Sequence, residues 1–205
     1  FTAEGPSVVR TLSDRGDRVF LDLKFHDIPN TVAAAIDSAS QLGAWMVNVH
    51  ASGGAAMMAA AVEAADKAAD QGRLRPLMIA VTVLTSMTAD TLNSVGVPRV
   101  PLDQVVHLAK MAKTSGMDGV VASPLETASI REACGTDFLI VTPGIRGGTA
   151  LQTGGRHDQA RTMTPGNAMR AGSSYLVVGR PITGAPDPRA AAQAITEEIK
   201  GTDRR

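Results

Sequence analysis

The chain has 205 residues, enough to bury a substantial core as one domain. Its 20 Lys and Arg balance 20 Asp and Glu, so no global field argues for nucleic acid or a membrane surface, and any anion site must be built locally. The lone Cys134 excludes an intrachain disulfide framework and fits a reducing cytosol, and 3% aromatics leave no stacking platform for single-stranded nucleic acid.

The sequence opens on a helical pattern at Glu4–Arg15, followed by an apolar strand at Val19–Lys24. Helix Thr31–Leu42, strand Trp45–His50 and helix Gly54–Ala69 come next, then strand Leu77–Val83 and helix Leu102–Ser115. Strand Gly119–Ala122, helix Leu125–Cys134, strand Phe138–Thr142, helix Pro165–Ala171, strand Tyr175–Gly179 and helix Pro188–Lys200 complete the pattern. The strands are continuous apolar runs, as expected of parallel strands buried on both faces, and their alternation with helices predicts right-handed βαβ units. No apolar run reaches the roughly 18 residues of a membrane helix and the first residues show no signal-peptide pattern; with the lone cysteine, a cytoplasmic location is the expectation. The longest irregular stretch, Gly147–Thr164, is of a length that is usually functional in a compact domain.

At the end of the first strand stand an acid, a base and a second acid: Asp22, Lys24 and Asp27. Residues two apart on a strand share a face, so Asp22 and Lys24 should project together, with Asp27 in the loop before the helix. Charges this close are costly to desolvate unless they compensate one another. A structural ion pair is the bland reading. The apolar strand before them and Pro29 after them put the charges at a mouth, which favours a functional one.

An open doubly wound sheet and a (β/α)8 barrel both fit alternating strands and helices. No G-x-G-x-x-G follows the first strand, so dinucleotide binding has no support. Polar groups instead end nearly every strand: Asp22 and Lys24, His50, Thr85 and Ser86, Ser123, Thr142 and Arg180. A TIM barrel assembles its site from many strand ends, and that is the fold expected. Only six of eight strands are legible, and a barrel without its first two cannot close. The expectation is a single barrel domain over residues 1–205, truncated at its N-terminus, with Val19–Lys24 and Tyr175–Gly179 as exposed edges.

The run Asp22-Leu23-Lys24-Phe25-His26-Asp27-Ile28-Pro29-Asn30-Thr31 resembles orotidine 5′-phosphate decarboxylases, cofactor-free enzymes that make UMP. The likeness continues through Trp45–Gly54, Ala80–Met87, Val141–Arg146, His157–Gln159 and Val178–Thr183, in the family's order. The D-x-K-x-x-D element alone is shared with sugar-phosphate lyases of the same superfamily; the full series is specific. The resemblance implies that Lys24 protonates C6 of the pyrimidine as carbon dioxide leaves, with Asp22 beside the departing carboxylate. It implies a homodimer in which Asp27 and Thr31 reach the neighbouring subunit's site. Thr85 would contact the pyrimidine, while Arg146, Gln159, Gly179 and Arg180 would hold the phosphate. The family also has an acid after its first strand and a lysine after its second, and this sequence begins downstream of both.

Loss of carbon dioxide from an sp² ring carbon leaves an in-plane electron pair that delocalisation spreads poorly. A preorganised ammonium suits it. At about 4 Å and an effective dielectric near 20, one such charge is worth roughly 4 kcal/mol. That is only part of the roughly 8–23 kcal/mol that enzymes supply. Phosphate binding and loop closure must provide much of the rest. Arginine suits bidentate phosphate contacts, and loops after the last barrel strands are the usual phosphate site.

Two other readings compete. One is a magnesium-dependent sugar-phosphate lyase of the hexulose-phosphate synthase type, which shares the barrel and the D-x-K-x-x-D element. The other is an inactive fragment pairing through its edges. His26 could orient Asp22, though packing suits it better, and His50 could be structural or touch substrate; His107 and His157 receive no role. No His, Cys and Asp spacing marks a metal site, and Met57-Met58 reads as helix core.

Overall fold

The computed structural model describes residues 1–146 and 162–201. In chain order its elements are α1 (Ser7–Asp14), β1 (Phe20–Phe25), α2 (Pro29–Gln41), β2 (Met46–His50) and a 3-10 turn at Ala51–Gly53. Then come α3 (Ala55–Asp70), β3 (Leu77–Val81), α4 (Ala89–Ser94), α5 (Pro101–Thr114), β4 (Gly119–Val121) and α6 (Thr127–Cys134). The chain continues through β5 (Leu139–Thr142), α7 (Pro165–Arg170), β6 (Tyr175–Leu176), α8 (Arg180–Thr183) and α9 (Pro188–Lys200).

Among the described residues the six strands follow one another as β1-β2-β3-β4-β5-β6. Pairing is parallel where β1 meets β2, β2 meets β3 and β5 meets β6. Strictly sequential order is that of a (β/α) barrel and excludes a doubly wound sheet, whose order reverses at a switch point. The expected fold class therefore holds, with six strands.

The chain forms two compact units, Phe1–Thr82 with His107–Val120, and Val83–Val106 with Val121–Arg205. In the first, β2 and β3 pair in register from Met46↔Leu77 to His50↔Val81. Val47, Val49, Met78, Ile79 and Ala80 are all fully buried, as the continuous apolar runs predict. α2 buries Val32, Ile36 and Ala39 on one stripe and packs against α3, which buries Met57, Met58, Ala61, Ala65 and Ala68. The alanines let the two helix axes approach closely, and the methionine pair fills the core. α2 ends where Gly43, at φ 76°, turns the chain toward β2; a Cβ there would also meet Ser13 Cβ at 3.0 Å. Only glycine satisfies both constraints.

In the second unit β5 and β6 pair through Val141↔Tyr175 and Thr142↔Leu176. Arg131 of α6 holds the connections around them. Its Nε donates to Gly172 O at 2.8 Å, Nη2 to Ser174 Oγ at 2.8 Å, and Nη1 reaches the carbonyls of Gly135, Thr136 and Phe138. Met163 and Gly144–Arg146 close a small bridge, Arg146 N–H donating to Met163 O at 2.9 Å. α7 is tied to α9 by Gly166 N–H donating to Glu198 Oε1 at 2.9 Å.

One expectation needs correction. β6 is two residues long rather than Tyr175–Gly179, and Tyr175 and Val177 are partly exposed, so Arg180 does not follow a long buried strand. It instead begins α8. β1, expected as an exposed edge, buries only Leu21. Both strands stand at the ends of the strand order, where one neighbour rather than two covers them.

Candidate active site

The last residues of β1 depart from a regular pleat. Phe20 and Leu21 pair with Met46 and Val47, but the next match is Phe25 with Val49. Four steps along β1 thus answer two along β2, which is a bulge. Lys24 lies inside it at φ 52°, the sole non-glycine residue with positive φ among the described residues. A lysine in that region carries a strain of about 1–3 kcal/mol.

What holds it there is a three-residue cluster. Lys24 N–H donates to Asn48 Oδ1 at 2.8 Å, Asn48 Nδ2 donates to Asp22 Oδ1 at 2.6 Å, and Lys24 Nζ meets the same oxygen at 2.6 Å. The Asp22 and Lys24 side chains are 46% and 43% exposed, so the ion pair contributes at most about 1 kcal/mol. Asn48 is 1% exposed. A buried hydrogen bond to a charged group contributes roughly 1.5–3 kcal/mol, so the carboxamide rather than the ion pair offsets the backbone strain. The expectation that Asp22 and Lys24 meet is correct in outcome and incomplete in cause: the contact runs through a bulge, not through regular alternation.

Charge spacing does not single out Asn48. A signal for it is present, because an asparagine between Val47 and Val49 on a buried strand must find hydrogen-bond partners. Which partners it finds depends on the register slip, and no sequence pattern reveals that.

His26 follows β1 and His50 ends β2; their ring centroids are 5.6 Å apart with planes tilted by 36°. Burial, then the charges of His26 and Lys24, depress the pKa of His50 below its usual value, with Asp22 opposing. The imidazole beside Lys24 is thereby biased toward its neutral form. Gly53 lies against His26: a Cβ there would run into Met57 Cε and approach His26 Cδ2 at 3.2 Å.

Asp27 lies past β1, and its Oδ1 accepts the N–H of Ile28 at 2.6 Å. Pro29 then opens α2 at the position where its missing N–H costs nothing. Asp27 and Thr31 are exposed, and Ile28 between them is 66% exposed. The Asp27–Thr31 segment thus presents a carboxylate, a hydroxyl and an apolar side chain to the surface of this unit.

The other expected residues lie in the second unit. Thr85 is half-buried in the turn after β3, closed by Met87 N–H donating to Leu84 O at 2.9 Å. Arg146 is half-buried beside the Met163 bridge. Gly179 precedes α8, whose first residue, Arg180, is exposed. Gln159 lies outside the described residues, as do His157 and Asp158. The first unit therefore brings together Asp22, Lys24, Asn48, His26 and His50, and the second carries Thr85, Arg146, Gly179 and Arg180.

Among the described residues no group of three or more His, Cys, Asp or Glu side chains gathers to hold a metal ion. No helix among them is long and apolar enough to cross a membrane.

Residues 1–195 match the family described as orotidine 5′-phosphate decarboxylase / HUMPS. A protein named orotidine 5′-phosphate decarboxylase from Moorella thermoacetica is 55% identical over 202 residues, covering 98% of this chain and 79% of that protein. One of the same name from Chromohalobacter salexigens is 55% identical over 199 residues, covering 97% and 81%. The crystal structure of orotidine 5′-phosphate decarboxylase from Lactobacillus acidophilus superposes with a TM-score of 0.82 at 44% identity, over 95% of this chain and 81% of that one.

Proposed function

Because this chain belongs to the orotidine 5′-phosphate decarboxylase / HUMPS family, we propose that it converts orotidine 5′-phosphate to UMP and carbon dioxide without a cofactor, in pyrimidine biosynthesis. The observation that carries the reading is the 55% identity to decarboxylases over nearly the whole chain. The magnesium-dependent lyase reading is not favoured beside relatives of that name. The match across residues 1–195 supports treating both compact units as parts of one catalytic barrel domain.

Lys24 supplies the ammonium. As the C6–carboxylate bond breaks, its electron pair stays on C6 in the ring plane and carbon dioxide departs. The ammonium stabilises that carbanion and then transfers a proton from Nζ to C6, giving UMP and a neutral amine that regains its proton from water. Asp22, 2.6 Å from Nζ, fixes the direction of the ammonium. Asp27 and Thr31 are exposed, which supports their assignment to the site of a second subunit in a homodimer. Ile28, apolar and two-thirds exposed between them, suits such an interface.

Thr85 contacts the pyrimidine, and Arg146, Gln159, Gly179 and Arg180 bind the phosphate. Arg180 offers a planar fork from the start of α8, the geometry that suits phosphate oxygens. Phosphate binding holds the reacting carbon against Lys24, so remote contacts contribute to the rate. The protein is assigned to the cytoplasm, where its one cysteine, buried in α6, stays reduced.

The test is UMP formation by the full-length protein, with and without EDTA. Turnover that survives chelation is the expected result. Turnover lost on chelation and restored by magnesium would overturn the cofactor-free reading, and no turnover of orotidine 5′-phosphate in either condition would sink the decarboxylase reading itself.

A further inference from the structure

Asn48 has no assigned part in the chemistry, yet it is the buried member of the Lys24 cluster. It lies on β2 directly opposite the bulge, between Val47 and Val49, which pair on either side of the slip. Its oxygen takes the main-chain N–H of Lys24, and its nitrogen gives a hydrogen bond to the carboxylate that Nζ also meets. One rigid group therefore sets both the left-handed backbone of the lysine and the location of its counterion. We propose that Asn48 is a positioning residue for decarboxylation: its carboxamide clamps the Lys24 main chain and Asp22 Oδ1 together, fixing the ammonium where the carbanion develops.

This rests on the decarboxylase reading and extends it to a residue that need not touch substrate. Two features make the geometry more than packing. A buried asparagine that only needed partners could find both on neighbouring backbone, whereas Asn48 spans two residues of one charge pair. The lysine it holds is also, among the described residues, the one non-glycine residue at positive φ. Such strain persists where the surroundings over-determine it, and here a single side chain does so from the adjacent strand.

The clamp acts on the transition state rather than on ground-state binding, because the ammonium meets its full partner only as charge forms at C6. Removing it should lower kcat and leave ligand affinity nearly intact. Asn48→Ala removes both contacts. Asn48→Asp keeps an acceptor for Lys24 N–H, loses the donor to Asp22 and adds a second carboxylate. The titratable groups facing that new carboxylate are Asp22 and Lys24 of β1, His50 of β2, and His26 after β1.

The experiment measures kcat, KM for orotidine 5′-phosphate, Kd for UMP and the urea midpoint in wild type and both variants. In Asn48→Ala kcat should fall about 10- to 100-fold, the worth of a hydrogen bond to a charged group. KM and the UMP Kd should move by less than about 3-fold, the split expected when a transition-state contact is lost. In Asn48→Asp the added carboxyl regains a donor as well as an acceptor when protonated, so its kcat should recover relative to wild type as pH falls. A crystal structure of Asn48→Ala should show Lys24 at negative φ. The inference is overturned if kcat is unchanged, if KM rises with kcat preserved, or if activity falls only in step with the folded fraction. Should Asn48→Ala not fold, the pH profile of Asn48→Asp decides. No UMP formation by the wild type defeats the decarboxylase reading itself, whereas an active wild type with unaltered variants defeats the clamp alone.

Discussion

His50 faces His26 across 5.6 Å, one ring at the end of β2 and the other just past β1, and the Lys24 ammonium acts on His50 as well. Two protonated rings and an ammonium so close would repel one another. Burial and these neighbours depress the His50 pKa from its usual 6.5. The folded state then binds fewer protons than the unfolded chain in this window, so stability rises with pH there. The penalty should appear as pH falls through about 6.5 and be complete below the folded-state pKa. Urea denaturation at a series of pH values should show the midpoint falling toward acid, with a shallower fall in His50→Gln. Equal slopes would remove His50 as the source.

Lys24→Ala should cut turnover by about a thousandfold or more, the combined scale of losing a proton donor and a preorganised charge. UMP titration by calorimetry should show binding retained. Retained turnover would mean that another group delivers the proton.

For Arg180→Ala the expected effect lies in binding. UMP affinity should weaken about 10- to 100-fold through loss of charge-assisted hydrogen bonds. Affinity for uridine, which lacks the phosphate, should hardly change. Equal losses for both ligands would assign the effect to α8 folding rather than to phosphate.

Arg131 is a stability residue by geometry. Its guanidinium serves the Gly172 carbonyl, the Ser174 hydroxyl and the carbonyls of Gly135, Thr136 and Phe138. Arg131→Met should destabilise the protein by about 2–4 kcal/mol, since part-buried carbonyls lose their donors. Arg131→Lys should recover little, because one ammonium cannot span three directions. A thermal melt within a degree or two of wild type would contradict this.

Much of the fold is legible in the order of the residues alone. Helix α9 starts and stops where expected because Asp187 caps it, accepting Ala190 N–H at 2.9 Å, and Pro188 sets its first turn. The β2 and β3 cores follow from uninterrupted apolar runs. The short helices α4 and α8 escape notice because four to six residues carry too little periodicity. β6 is overestimated because Val177 and Val178 look like strand, yet the ladder with β5 ends at Leu176. In the site, charge spacing reveals Asp22 and Lys24. It does not reveal the positive φ of Lys24 or the part played by Asn48, since both arise from how β1 slides against β2.

That offset has a consequence for anyone transplanting the chemistry. Copying the acid and the lysine onto an evenly pleated strand of another scaffold would aim the amine along the wrong vector, whatever the identity of the two side chains. The graft has to carry the slipped pairing and the neighbouring strand's carboxamide with it, so the portable unit is a piece of two strands and not a three-letter word in one of them.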